Sequence, residues 1–318
     1  MRISVAMCTF NGARYLGEQL ASIAGQSLLP DELVVCDDRS SDETLQILES
    51  FAQSSRFTVR VFINEENLGP AKNFEKAILL CQGELIALSD QDDIWHPQKL
   101  SRLVHILDED ATLGGVFSDG ELIDEYSNHL SGRLWERVNF RPPSNSLHME
   151  DSLADNLLKL NVVTGATLMV RASVRHQILP VPDPWMHDGW IAWMLLSYSG
   201  IAAVQEPLIG YRIHGAQNAG LSPQSIMKRI EYARQTRRRE CLPTASQFEV
   251  LRSYLAEHPG RNIAEQQVRL QEKIDHLRHR VDLPGSLLPR MFRILAAWKQ
   301  YRLYANGLCT MLKDLLAP

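Results

Sequence analysis

The first ninety residues alternate short apolar runs with segments of helical periodicity, and this alternation limits the fold more than any other feature. Apolar runs at Ile3 to Cys8, Leu33 to Cys36, Phe57 to Ile63 and Leu85 to Leu88 predict four strands. Between them, apolar residues recur at intervals of three and four, as they do on one face of a helix. Strands that alternate with helices form βαβ units and a largely parallel sheet. We therefore predict an α/β fold whose strand-end loops face one crevice.

The loop after the fourth predicted strand is strongly acidic. Ser89 to Trp95 read Ser-Asp-Gln-Asp-Asp-Ile-Trp, which places Asp90, Asp92 and Asp93 within four positions. Carboxylates this close repel one another unless protons or a cation compensate them. Oxygen ligands of this kind suit Mg²⁺ or Mn²⁺. The residues alone leave two alternatives open, a divalent cation site and a solvated turn that caps the helix beginning near Pro97.

Other ligand-binding motifs fit the sequence less well. A calcium-binding EF-hand that began at Asp90 would need glycine and glutamate where Trp95 and Ser101 stand, so it is excluded. A phosphatase of the haloacid dehalogenase class would have threonine in place of Ile94 and its motif near the N-terminus, so it is disfavoured. The sequence contains neither Gly-x-Gly-x-x-Gly nor Gly-x-x-x-x-Gly-Lys, which argues against a dinucleotide-binding Rossmann domain and a P-loop NTPase.

Composition indicates a globular chain with uneven charge. The 318 residues are 45% hydrophobic and carry a net charge of −5. From Ser225 onward, 17 Lys and Arg face 9 Asp and Glu, so the C-terminal part is basic and the rest acidic. The cysteines are Cys8, Cys36, Cys81, Cys241 and Cys309. Their wide spacing indicates no disulfide framework, and we expect a cytoplasmic protein without a signal peptide or a membrane span.

Four motifs follow one another along the N-terminal half. They are Met7-Cys8-Thr9-Phe10-Asn11-Gly12, Asp37-Asp38-x-Ser40-x-Asp42, Asn67-x-Gly69 with Lys72-Asn73, and Ser89-Asp90-x-Asp92-Asp93-x-Trp95-x-Pro97. In this order and spacing they resemble glycosyltransferase family 2, the inverting enzymes with a GT-A fold, and most strongly bacterial rhamnosyltransferases of surface polysaccharide assembly. The sequence departs from the family at Arg39, where glycine is frequent. The resemblance implies a Rossmann-like, mostly parallel sheet flanked by helices.

The resemblance also implies a ligand set. Donor contacts are expected from Thr9, Phe10, Asn11, Asp38, Asn67, Lys72, Asp90, Gln91 and Arg212. Contacts to Mg²⁺ or Mn²⁺ are expected from Asp90, Asp92 and His214. Asp188 lies in Pro184-Trp185-Met186-His187-Asp188-Gly189-Trp190, where similar enzymes carry their catalytic base. His187 is a second candidate for the base, and capping of the following helix is the alternative role of Asp188.

The implied reaction is metal-dependent transfer of a sugar from a nucleoside diphosphate donor to a glycan or lipid-linked acceptor, with inversion. Thymidine diphosphate rhamnose is the favoured donor, and a uridine diphosphate sugar is the alternative donor. The alternative function is that of a catalytically silent module that binds a nucleotide sugar. A sugar-nucleotide pyrophosphorylase is disfavoured because Thr9 to Arg14 lacks a glycine-rich, basic loop. Nucleic acid is disfavoured as a partner because the acidic body of the chain would repel its phosphates.

We predict a catalytic domain at residues 1–222, with a nucleotide-sugar half at 1–118 and an acceptor half at 119–222, and a helical region at 223–318. Further predictions are Ser41 or Asp42 as the N-cap of the second helix, a strand at Gly115 to Ser118, a loop at Tyr126 to Met149, a strand ending at Arg171, a helix at Ile191 to Leu196 and a strand at Pro207 to His214 that leads into Gly215 to Asn218.

The helical region is predicted as four segments separated by proline or glycine. They are Lys228 to Cys241, Ser246 to Glu257, Ile263 to Val281 and Leu287 to Leu316, with breaks at Pro243, Pro259-Gly260 and Pro284-Gly285. Arg237-Arg238-Arg239 and the last segment suggest a basic amphipathic surface, in which Trp298, Tyr301 and Tyr304 mix with Arg290, Arg293, Lys299 and Arg302. It would lie on the inner membrane leaflet, or pack on the catalytic domain or on a second copy in a homodimer.

Overall fold

A computed structural model describes residues 1–142, 150–214 and 226–316. The chain divides into two compact units. The first consists of Met1–Glu150, Val162–Val181 and Trp185–Leu221, and the second of Asp151–Asn161, Pro182–Pro184 and Ser222–Pro318. The predicted boundary at 222 and the predicted loop Gly215 to Asn218 lie outside the described residues. None of the helices in the described residues is long and apolar enough to span a bilayer.

The first unit is built around a nine-stranded sheet. Its strands are β1 (Ile3–Thr9), β2 (Glu32–Asp37), β3 (Thr58–Ile63), β4 (Leu85–Ser89), β5 (Ile94–Trp95), β6 (Gly115–Ile123), β7 (His129–Arg133), β8 (Leu168–Arg171) and β9 (Ile201–Arg212). Their order is β3-β2-β1-β4-β8-β6-β9-β5, with β7 paired to β6. The first four strands are parallel, β8 is antiparallel to both of its neighbours, and β6 and β9 are parallel. The prediction of a largely parallel sheet is confirmed.

Helices follow the first four strands as the periodicity predicted, and further helices occur beyond them. They are α1 (Ala13–Ala24), α2 (Thr44–Ser54), α3 (Gly69–Leu80), α4 (Lys99–Glu109), α5 (Leu134–Arg137), α6 (Glu150–Leu157), α7 (Arg175–Ile178) and α8 (His187–Tyr198). Leu16, Leu20 and Ile23 are spaced along one face of α1, and all three are buried in the core with Val5 and Met7 of β1. This burial fixes α1 on the sheet and thereby positions the loop that joins it to β1.

Two local predictions in this unit are wrong. The N-cap of α2 is Glu43, not Ser41 or Asp42, although the Asp42 carboxylate accepts a hydrogen bond from Thr44 N at 3.1 Å. The predicted loop from Tyr126 contains β7 and α5, and its residues 143–149 lie outside the described residues. All five residues of β7 are exposed at the sheet edge, so their sequence shows no apolar alternation. Trp135 of α5 is nevertheless buried, 5.5 Å from the ring of Phe117.

The second unit is helical, as predicted, but its segmentation differs. Most of α6 belongs to this unit, and its other helices are α9 (Ile226–Glu257), α10 (Ile263–Val281), α11 (Leu287–Ala296), α12 (Trp298–Tyr304) and α13 (Leu308–Leu316). The predicted break at Pro243 is wrong because α9 continues through it, and Cys241 and Ala245 on either side are buried. The single helix predicted at Leu287 to Leu316 is also wrong. It is interrupted before α13, where Gly307 has a φ of 53°, a conformation that glycine adopts without strain.

Buried polar side chains cross-link the helices of the second unit. Arg280 Nε and the hydroxyl of Tyr301 both donate to Asp314 Oδ2, each at 2.7 Å. Lys273 Nζ donates to the carbonyl oxygen of Tyr304 at 2.8 Å. Burial, followed by the nearby charge of Arg280, lowers the pKa of Lys273 to about 7. The unit therefore buries an ammonium group that loses its proton in the folded state far more readily than in water.

Replacing Lys273 with Met should stabilise the protein more at pH 7 than at about pH 10. In the folded wild type the pKa of Lys273 is about 7, against 10.5 for free lysine. Between these values the unfolded chain binds more protons, so the stability of the wild type rises with pH, by on the order of a few kcal/mol in total. Methionine does not titrate, so its advantage shrinks as pH rises. Calorimetric unfolding of both proteins at the two pH values measures this difference.

The matched control is Lys299→Met, which removes an exposed ammonium group from the same unit. Its effect on the unfolding temperature should be small and independent of pH. A Lys273→Met effect of equal size at both pH values would show that the ammonium group is not desolvated in the folded state.

Candidate active site

The loops after β1, β2 and β4 meet at one edge of the sheet, because these neighbouring parallel strands end in register. Thr9 pairs with Asp37, and Met7 with Ser89. A cavity of ≈ 770 Å³ opens at this edge. The predicted site residues in its lining are Thr9, Phe10, Asn11, Asp38, Asn67, Asp90, Gln91, Asp92, Asp188 and His214. The fold thus brings most of the predicted side chains, from separate parts of the chain, into one cavity.

The loop after β1 is held by side chains from the other two loops. Gln91 accepts from Phe10 N at 2.8 Å and donates to Phe10 O at 3.1 Å. Ser40 Oγ accepts from Asn11 N at 2.9 Å, and Asn11 Oδ1 accepts from Ser41 N at 2.8 Å. A Cβ at Gly12 would lie only 2.2 Å from Gln91 Oε1, so glycine leaves room for this clamp. The three loops therefore form one hydrogen-bonded rim.

Asp38 is almost completely buried, and its carboxylate accepts three hydrogen bonds from the protein. Oδ1 accepts from Asn64 Nδ2 and Leu68 N, each at 2.8 Å, and Oδ2 accepts from Gly69 N at 2.9 Å. Asn67 donates to the Asp38 carbonyl oxygen at 3.3 Å. Asp38 thus fixes the turn into α3, and one side of Oδ2 is left for the predicted donor contact.

Two residues of the rim have left-handed backbone conformations. Asn11 has a φ of 47° and Arg39 a φ of 67°. Asparagine tolerates this region, whereas for arginine it costs on the order of 1–3 kcal/mol unless the surroundings enforce it. The hydrogen bonds on either side, at Asp38 and Ser40, enforce it here. A glycine at this position would adopt the same conformation without strain.

The acidic loop between β4 and β5 carries mutually repelling carboxylates. Desolvation, and then the charges of Asp92 and Asp188, raise the pKa of Asp90 to about 7. Desolvation with the charges of Asp92 and Asp90 raises the pKa of Asp93 well above its ordinary value. Asp92 Oδ2 lies 2.8 Å from His214 Nε2, and the His214 ring packs 4.8 Å from that of Tyr15. The loop therefore brings two crowded carboxyl groups, those of Asp90 and Asp92, into the cavity lining.

These side chains fit a divalent cation that takes only a few of its ligands from the protein. The described residues contain no cluster of three His, Cys, Asp or Glu side chains arranged to hold a metal. Asp92 and His214 are adjacent, and Asp90 is close enough to interact electrostatically with Asp92. Mg²⁺ commonly uses one or two carboxylates and completes its shell with phosphate oxygens and waters. The carboxylates of Asp90 and Asp92 in the cavity lining suit that mode of binding.

Two residues predicted to contact the donor form hydrogen bonds to other protein groups outside the cavity lining. Arg212 is fully buried beneath the acidic loop, donating from Nε to Asp92 O at 2.7 Å and from Nη2 to Glu18 Oε2 at 2.7 Å. Lys72 Nζ donates to Glu75 and to the carbonyl oxygen of Val181. Neither residue is part of the cavity lining. Their contact to a donor remains a prediction.

Asp188 and His187 begin α8 and also belong to the cavity lining. Asp188 lies in the first helical turn, after the N-cap Met186, and its Oδ1 accepts from Gly189 N at 2.6 Å. His187 is buried and stacks on Phe74 at 4.0 Å between ring centroids. Burial lowers its pKa, and neither ring nitrogen has a hydrogen-bond partner in the described part of the chain. Asp188 is the side chain with charge available at this wall.

Lys99 is a residue that the sequence analysis missed. It is fully buried, its Nζ donates to the Ala166 carbonyl oxygen, and it lies 3.6 Å from the Trp95 ring centroid. Desolvation lowers its pKa strongly, against the opposing effect of Asp93 and Asp90. The available signal was its position, two residues after the Trp-x-Pro segment that follows the acidic triplet.

The sheet and its cavity define a GT-A-like α/β protein. A model of the family described as glycosyl transferase family 2 matches residues 4–173, just over half of the chain. The chain therefore belongs to glycosyl transferase family 2. The predictions of a GT-A fold and of the glycosyltransferase class are confirmed at this level.

Individual relatives are distant. An uncharacterized glycosyltransferase from Nostoc sp. is 27% identical over 229 residues, which cover 69% of this chain and only 66% of the relative. S. aureus TarS 1-349 in complex with UDP-GlcNAc matches with a TM-score of 0.56 and 18% identity, over 95% of this chain and 82% of that one. The mannosyltransferase PcManGT from Pyrobaculum calidifontis, in complex with GDP-Man and Mn²⁺, matches with a TM-score of 0.53 and 18% identity, over 98% and 85%. At these identities the two structures support the fold alone.

Replacing Asp38 with Asn should lower the free energy of unfolding without any ligand, by about 1–3 kcal/mol. The amide would set an N–H group against the donors of Leu68, Gly69 or Asn64. Chemical denaturation of the ligand-free protein measures the loss.

Asp188→Asn is the matched control, because Asp188 lines the same cavity and, among the residues that the structure describes, its side chain accepts a hydrogen bond only from Gly189 N in its own helical turn. It should leave stability near that of the wild type. Wild-type stability in Asp38→Asn, together with weaker nucleotide binding, would instead make Asp38 a ligand contact with no structural role.

Proposed function

We propose that this protein is an inverting glycosyltransferase that uses a nucleoside diphosphate sugar and a divalent cation. The observation that carries the proposal is that Asp188 and the acidic loop face one cavity. Asp188 lines the same ≈ 770 Å³ space as Asp90 and Asp92, and its charge contributes to the raised pKa of Asp90. A base and a cation-binding loop that line one cavity are the two parts that single displacement needs.

The identity of the donor is proposed from two structures that share the fold and from the four sequence motifs. TarS and PcManGT share the fold, and their structures contain UDP-GlcNAc and GDP-Man. The four motifs resemble rhamnosyltransferases, so we favour thymidine diphosphate rhamnose, with a uridine diphosphate sugar as the alternative. The proposed acceptor is a hydroxyl of a glycan or lipid-linked glycan on the cytoplasmic side, in the assembly of bacterial surface polysaccharide.

Asp188 is proposed to act as general base. The acceptor oxygen attacks the anomeric carbon from the face opposite the diphosphate, Asp188 takes the hydroxyl proton, and the bond from the anomeric carbon to the diphosphate oxygen breaks. One displacement inverts the anomeric centre. His187 is the weaker candidate, because burial lowers the pKa of its ring and so makes it a poorer proton acceptor, and no hydrogen-bond partner in the described part of the chain orients the ring.

The loops after β1, β2 and β3 are proposed to bind the nucleoside, through Thr9, Asn11, Asp38 and Asn67. Asp90, Asp92 and His214 would hold Mg²⁺ or Mn²⁺, which when bound stabilises the negative charge of the diphosphate leaving group. The chain's own part is to hold these carboxylates close together in a partly desolvated site, where electrostatic interactions are stronger than in water.

Donor binding should stabilise the protein only when a divalent cation is present. Ligand at 100 times its Kd adds about 2.7 kcal/mol of stability, a shift of a few degrees in Tm. Thermal unfolding with a panel of nucleoside diphosphate sugars, each with Mn²⁺ or with EDTA, measures the effect and identifies the donor. Asp92→Ala should abolish the cation-dependent part. No shift with any nucleotide would contradict the proposal.

Asp188→Asn should lower the rate of transfer by about 10²- to 10⁴-fold and leave the donor-induced shift in Tm intact. The amide keeps the size of the side chain but cannot accept the hydroxyl proton. Product formation from a labelled donor measures the rate.

His187→Gln is the matched comparison, since it changes the neighbouring side chain in the same wall. It should retain more activity than Asp188→Asn. The opposite ranking, with Asp188→Asn near wild-type turnover, would assign the base to His187.

A further inference from the structure

Helices α11, α12 and α13 leave many large apolar side chains exposed. Leu288, Phe292 and Leu295 form one stripe of α11, and Leu308 and Leu312 lie one turn apart on α13. Phe292 is 67% and Leu308 68% exposed. The other exposed apolar side chains of these helices include Leu287, Trp298 and Leu303. We call these eight residues, together with Arg293, Lys299, Arg302 and Lys313, the apolar-basic face.

The exposed residues are additional to those that hold the three helices together. The opposite sides pack around a small core that contains Ile294, Tyr301 and Met311. Tyr301 and Tyr304 are buried, so the predicted aromatic surface keeps only Trp298 of its three aromatics. Exposed apolar groups on this scale mark an interaction surface.

The charges of the same segment have one sign. Between Leu283 and Leu316 every exposed charged side chain is basic, namely Arg293, Lys299, Arg302 and Lys313. The segment's one acidic residue, Asp314, is buried and paired with Arg280. Arg302 also lies 4.9 Å from the Trp298 ring centroid, which leaves an aromatic ring and a cation side by side at the surface.

We propose that the apolar-basic face binds the surface of an anionic lipid bilayer. Leucine and phenylalanine side chains would enter the boundary between headgroups and acyl chains, while the long basic side chains reach the headgroup phosphates. Tryptophan is enriched at this depth of a membrane. The absence of a membrane-spanning helix among the described residues agrees with a contact in the plane of the surface.

Charge complementarity favours a bilayer over a second copy of the chain. A two-fold dimer places the same patch against itself, so four basic side chains would meet four basic side chains. The centres of protein interfaces are also depleted in lysine. An anionic bilayer complements the apolar and the basic residues together.

The experiment is co-sedimentation of the full chain with vesicles of phosphatidylcholine alone and with about one third phosphatidylglycerol, at low and high salt. The protein should bind the anionic vesicles, bind neutral vesicles at least about tenfold more weakly, and lose affinity as salt screens the basic residues.

Two pairs of variants separate the apolar from the basic contribution. Leu288→Ser with Phe292→Ser should weaken binding by at least about tenfold, while Val268→Ser, at an exposed valine of α10, should not. Lys299→Glu with Arg302→Glu should weaken binding by roughly fivefold or more per residue. The matched charge reversal Arg261→Glu, at an exposed residue outside the face, should have little effect.

Equal binding to neutral and anionic vesicles, or equal losses in the control variants, would overturn the proposal. A concentration-dependent dimer that Leu288→Ser with Phe292→Ser dissociates, without vesicle binding, would assign the face to a second copy instead. Donor-induced stabilisation, measured on the same preparation, tests the proposed function separately. The vesicle result depends only on the second unit's surface, so either proposal can fail alone.

Discussion

The acidic loop between β4 and β5 is the constraint on which the site depends, because its carboxylates repel one another beside a buried sheet. Arg212 and Lys99, on the core side of the loop, interact with these carboxylates and with the loop backbone. The backbone N–H of Arg212 donates to Asp93 Oδ1 at 3.0 Å, its guanidinium supports the loop backbone at Asp92, and buried Lys99 attracts Asp93 electrostatically. Asp90 and Asp92 line the cavity instead. Hydrogen bonds from Arg212 thus support the loop from the core side, while Asp90 and Asp92 face the cavity.

The sequence predicted the first four strands closely, because each is an apolar run bounded by polar residues. The strand predicted at Leu85 to Leu88 is observed at Leu85–Ser89, and the strand predicted at Ile3 to Cys8 is observed at Ile3–Thr9. The site followed from the same logic, since parallel strands that end in register bring their loops together whatever the side chains do. Most predicted site residues therefore line the cavity, although their roles remain predictions.

What the sequence could not predict depends on tertiary contacts. Arg212 ends a strand beside the site, and only the fold shows that its side chain turns under the acidic loop instead of towards the cavity. Trp135 gave no periodic signal because α5 is four residues long, and its burial against Phe117 is a long-range contact. Pro243 was predicted as a break from local chemistry alone, yet packing on both sides of it keeps α9 continuous.

The charge of the cavity would couple the proposed donor to the proposed cation. Among the described lining residues Arg14 is the one Lys or Arg, and it is paired with Glu125 at 2.6 Å. A diphosphate that entered alone would meet the carboxylates of Asp90, Asp92 and Asp188 with little to offset them. A cation bound as proposed would offset this repulsion, and because coupling between two ligands is reciprocal, the donor would raise the affinity for the cation by the same factor. A site with few protein ligands for the metal is therefore sufficient, provided that the donor's phosphates complete it.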